Sequence, residues 1–129
     1  MPTKEEWIRA HADLMEKLKL PCELRLSSSG VKIGCHFFEN DRKNCCIKIN
    51  PKADFRVPEH LILHEAAHHQ SLCYVDWECG DQHCEHWAKT LFYMYKETGT
   101  PLPQTTSFFE FAKIAGIIRK NFATEGDDA

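Results

Sequence analysis

The sequence predicts an α+β fold: an N-terminal helix, a three-stranded antiparallel sheet, a buried helix carrying His64-Glu65-Ala66-Ala67-His68, and two further helices. Three observations predict it. Apolar residues recur at three and four over residues 4–19, alternate singly over 22–49, and return to a helical period after Pro58. At 129 residues the chain suits one domain with one core. We expect that domain to span residues 1–122, with 123–129 as a flexible acidic tail.

The first helix is opened by the capping box Thr3-x-x-Glu6 and ended by Pro21. Its core stripe is Trp7, Ala10, Leu14 and Leu18, with His11 on the helix surface. The period then changes to two. Cys22, Leu24 and Leu26 alternate with Glu23 and Arg25; Val31, Ile33, Cys35 and Phe37 alternate with Lys32, Gly34, His36 and Phe38; Cys45, Ile47 and Ile49 alternate with Cys46, Lys48 and Asn50. Turns at Ser27–Gly30 and Glu39–Asn44 join these runs, so an antiparallel meander with one buried face is expected, with His36 on the polar side.

Pro58 suits a first helical position and Glu59 the positive end of a helix; no Gly or Pro interrupts the chain from there to about Cys73. Ile62, Ala66 and Cys73 make the far side of this helix apolar, so it should be nearly buried. After a loop over residues 74–80, Asp81 can cap a helix with the stripe Trp87, Leu91 and Met94, stopped by Gly99 and Pro101. A last helix opens at Ser107-x-x-Glu110 and buries Phe108, Phe111, Ala112, Ala115 and Ile118.

The chemistry lies in His64-Glu65-Ala66-Ala67-His68, an H-E-x-x-H sequence. Residues four apart share a helix face, so His64 and His68 can offer two imidazoles to one metal ion. Glu65 stands beside them, placed for a general base. A catalytic zinc site takes a third protein ligand. The candidates are Glu78, His83, Glu85 and His86, with His83 favoured because it stands where a helix follows a loop.

The stretch Gly80-Asp81-Gln82-His83-Cys84-Glu85-His86-Trp87 resembles the second motif of SprT-like zinc metallopeptidases, in which a His and, four residues on, an aromatic follow the H-E-x-x-H helix. His83 and Trp87 match it, and the likeness covers residues 60–95. Where that family usually has Gly after the third His, this chain has Cys84. The resemblance implies a zincin-like domain, with a small sheet packed on the motif helix and the substrate in the groove between them. No Cys-rich ribbon follows the motifs, so a minimal catalytic domain is expected. The family's link to DNA–protein crosslinks is not carried over.

The expected activity is therefore peptide-bond hydrolysis of a protein or peptide substrate. Zn2+ on His64, His68 and His83 activates water, and Glu65 takes the proton and passes it to the leaving amine. His69, Tyr74, His86 and Tyr93 are candidate donors to the transition state, His69 pointing about 100° away from His68. An edge strand can hold the substrate in extended form. The alternatives are a zinc-containing but inactive binding module and an interaction domain without metal.

Composition excludes other classes. With 16 basic and 19 acidic residues the net charge is −3, and no basic stretch marks a nucleic-acid surface. No apolar run approaches a membrane span, and the first residues are too polar for a signal peptide, so a cytoplasmic, reducing setting is expected. The seven cysteines are then expected as free thiols, buried as small apolar side chains; the sharper alternative is a second metal site from Cys73, Cys79 and Cys84.

Overall fold

The computed structural model describes residues 2–27, 34–39, 44–52, 57–71 and 85–103, together with 108, 110, 112, 113 and 116. At 34–39, 44 and 45 the description is of the backbone. The architecture is α+β. Its elements are α1 (Lys4–Leu18), β1 (Glu23–Leu26), β2 (Gly34–Glu39), β3 (Asn44–Ile49), α2 (Pro58–Ser71) and α3 (Glu85–Thr98).

Helix α1 forms as its ends dictate. Thr3 Oγ1 accepts from the Glu6 backbone N–H at 3.2 Å, and Glu6 Oε1 accepts from the Thr3 N–H at 3.2 Å. Lys19 closes the helix in the left-handed region (φ 55°), which lets its N–H reach Glu16 and the Leu20 N–H reach Met15. Trp7, Ala10, Leu14 and Met15 face the core. The Trp7 ring is fully buried while its indole N–H lacks a hydrogen-bond partner among the described residues, which costs about 1–3 kcal/mol.

The sheet is mixed, not antiparallel throughout. Strand β3 is central in the order β1-β3-β2. It pairs antiparallel with β2 (Phe37 opposite Cys46) and parallel with β1 (Leu24 opposite Ile47). The chain thus crosses over before β2 instead of turning back as a hairpin after β1. Alternation failed to reveal this because a period of two fixes which side chains share a face, not the strand's direction or neighbour. Cys46 was expected opposite the buried Ile47 and Ile49, but all three are buried, so both faces of β3 are covered there. His36 lies where only the backbone is described.

A further expectation changes. Cys22 is disulfide-bonded, not a free thiol. Gly116 takes a left-handed turn (φ 67°) with its N–H on the Lys113 carbonyl, while Ile118 lies outside the described residues. Before it, Phe108, Glu110, Ala112 and Lys113 are helical, and Phe108 packs on Phe92 and Tyr95. The tail 123–129 lies outside the described residues.

Helix α2 is the centre of the core, in contact with α1, α3, β2 and β3. It is buried on most of its circumference, as a helix enclosed by other elements must be. Ile62 and Leu63 are fully buried, each worth about 1.5–3 kcal/mol relative to exposure. Helix α3 runs antiparallel to it: His64 meets Trp87, and His60, one turn earlier, meets Tyr95, two turns later. Gly99 at φ 70° ends α3 as expected. No helix among the described residues is long and apolar enough to cross a membrane.

Candidate metal centre

Pro58 starts α2 and Ser71 ends it, its hydroxyl donating to the Ala67 carbonyl at 2.7 Å. The helical period then brings His64, Glu65 and His68 together at mid-length. One ligand atom from each lies within 4.8 Å of the others, the one such group among the described residues. His68 and Glu65 are buried, and His64 is half-buried, its side chain 28% exposed.

The electrostatics of Glu65 are unusual. Its carboxylate lies 4.0 Å from His64 Nε2, too far for a hydrogen bond, and no other partner reaches it among the described residues. Burial alone pushes its pKa from 4.5 to about 7. A buried carboxylate with no donor beside two imidazoles is what a divalent cation compensates. Ligand atoms held at about 2 Å by one ion lie no more than about 4 Å apart, close to the spacing within this group, so His64 and His68 could hold a metal with Glu65 beside it. The residues present fit one.

The ring packing around the group is tight. The His64 and His68 centroids are 5.0 Å apart at 72°. Trp87, fully buried on the first turn of α3, lies edge-on to His64 (4.8 Å, 66°) and stacks on His68 (5.3 Å, 26°). Its indole N–H donates to the His64 backbone carbonyl at 3.3 Å. This contact docks the start of α3 on the motif helix.

The remaining candidates separate clearly. His83, Tyr74, Glu78, Cys73, Cys79 and Cys84 lie outside the described residues. Glu85 and His86 are exposed on α3 and are not part of the group. Glu85 instead pairs with Lys89 at 2.8 Å, and that hydrogen bond holds its carboxyl below the usual range. Tyr93 is 61% exposed and hydrogen-bonds to Glu97, which raises its pKa. It stands six residues from Trp87, about 240° around the helix, so the structure does not bring it to the histidines. His69 is half-buried, and that burial lowers its pKa.

Two features escaped the sequence reading. His60 Nδ1 and the Tyr95 hydroxyl, on a buried side chain, are 2.7 Å apart, one turn from His64. The spacing His60-x-x-x-His64 was the available signal. Trp87 was read as core and as part of a motif; its contact with both imidazoles depends on how α2 and α3 cross. Comparison with protein-family models, with curated proteins and with solved structures gives no match to this chain.

Proposed function

We propose that this chain is a zinc-dependent metallopeptidase with a zincin-like arrangement, in which His64 and His68 hold the metal and His83 completes the site. The observation that carries the reading is the buried Glu65 carboxylate grouped with two imidazoles on one helix, their ligand atoms within 4.8 Å of one another. When bound, zinc supplies Lewis acidity, making water acidic enough to lose a proton near neutral pH and polarising a peptide carbonyl.

The chain's own residues do the rest. Glu65 accepts the proton from water and passes it to the departing amine. His64, the more open of the two histidines, marks the side from which a substrate approaches. Strand β2 lies at one edge of the described sheet and packs on α2, so an extended peptide added along that edge would run beside the motif helix. A protein or peptide is the substrate class. The disulfide at Cys22 suits an oxidising setting.

One observation favours a second reading. His68 is almost wholly covered and Trp87 lies on it, as in a closed structural site, so the chain can be a zinc-holding binding module without catalysis. One experiment separates the two. Cleavage of an unfolded protein substrate is measured for the zinc-loaded protein and its Glu65→Gln variant. The peptidase reading expects cleavage lost by a factor of at least about 100 in the variant, at unchanged zinc content. Equal cleavage by both removes Glu65 from the mechanism, and an inert, zinc-loaded wild type leaves the binding module.

A further inference from the structure

We infer that Trp87 is the positioning residue of the metal centre, holding the imidazoles of His64 and His68 in their ligating arrangement before any ion arrives. The inference rests on the metal-binding reading of these histidines and deepens it.

Three contacts made by one side chain carry it. The indole face lies on the His68 ring, 26° from parallel with centroids 5.3 Å apart, and the indole and the His64 ring meet in a T-shaped contact at 4.8 Å and 66°. Both fall within the range and orientations that aromatic pairs prefer. The third contact is polar: the indole N–H donates to the His64 carbonyl, 3.3 Å away, so the ring is fixed in azimuth as well as in depth. Neither imidazole can turn far about its side-chain torsions without leaving the indole. With Trp87 fully buried, the clamp has little room to move.

A core filler would need none of this. An aliphatic side chain fills volume but neither stacks on an imidazole nor donates to a carbonyl. The cost of immobilising two ligands is otherwise met when the ion binds. A rigid support met in folding transfers that cost to the folding step, and the loss of such supports weakens metal sites about 10–100-fold. The same contact fixes the start of α3 on the motif helix.

The test uses the whole chain. Zinc affinity is measured by competition with a chromophoric chelator for the wild type, Trp87→Phe and Trp87→Leu, with helix content checked by circular dichroism. The d–d absorption of the cobalt-substituted proteins reports ligand geometry independently of activity. The expected result is an affinity about 10–100-fold weaker for the Leu variant with altered cobalt bands, largely restored by Phe, which keeps a ring. Wild-type affinity and cobalt bands in the Leu variant overturn the inference while leaving the metal site standing. A wild type that binds no zinc overturns both.

If the Leu variant does not fold, the wild type decides through its His68 ring-proton resonances. Ring-current shifts from the indole that are present equally with chelator and with zinc support a preformed clamp. Shifts that appear only on adding zinc refute it.

Discussion

Replacing Glu65 by Gln should stabilise the metal-free protein at alkaline pH, although it removes the proposed catalytic base. The magnitude follows from burial. The folded state holds the Glu65 proton with a pKa of about 7 against an ordinary 4.5. Each tenfold change in acidity is worth about 1.36 kcal/mol, so ionising the folded protein costs about 3 kcal/mol. The sign is that of a raised acid: the full stability is present below about pH 4.5 and is lost as pH rises through 7. Gln has nearly the same shape and no charge, so it escapes the loss.

The assay is thermal unfolding of both proteins in excess chelator between pH 4.5 and 8.5. Other titrating groups are common to the two, so the difference between the curves isolates Glu65. That difference should be small at pH 4.5, grow between pH 4.5 and 7, and level off above 7 near 3 kcal/mol, equivalent to about 10 °C in Tm for a domain of this size. Curves that stay parallel across the whole range would refute the claim that Glu65 ionises in a buried, uncompensated position. Zinc should stabilise the wild type in proportion to its binding, through mass action on the folded state.

Two further predictions concern the scaffold. Tyr95→Phe removes the hydroxyl beside His60 Nδ1 and should destabilise by about 1 kcal/mol in denaturant unfolding, with no change in zinc content. Ile47→Ala empties a fully buried position on the central strand and should cost about 2–5 kcal/mol in the same measurement; a cost under 1 kcal/mol would argue that β3 is not central.

What the sequence made legible was local. Thr3 and Glu6 announced the start of α1, Pro58 the start of α2 and Gly99 the end of α3, because capping and helical dihedrals depend on residues within a turn or two. The pairing of His64 with His68 was equally local, set by a spacing of four on one helix. What it hid depends on contacts between distant segments. Leu24 and Leu26 alternate in the same way whether β1 runs parallel or antiparallel to β3, and the parallel arrangement came from packing. The disulfide at Cys22 and the burial of Cys46 have the same origin. So have the contact of Trp87 with both imidazoles and the pairing of His60 with Tyr95. Tyr93 is the instructive exception, for the helical period already turned it away from a face shared with Trp87.

Metal content decides first whether this chemistry exists. Elemental analysis of the purified protein beside its His68→Ala and His83→Ala variants is the direct measurement. The metal-centre reading predicts about one zinc per chain in the wild type and little in either variant. Zinc retained in His83→Ala alone would move the third ligand elsewhere and leave His64, Glu65 and His68 as the site. Zinc retained in His68→Ala, or no zinc in the wild type, would contradict the assignment of this histidine pair to a metal.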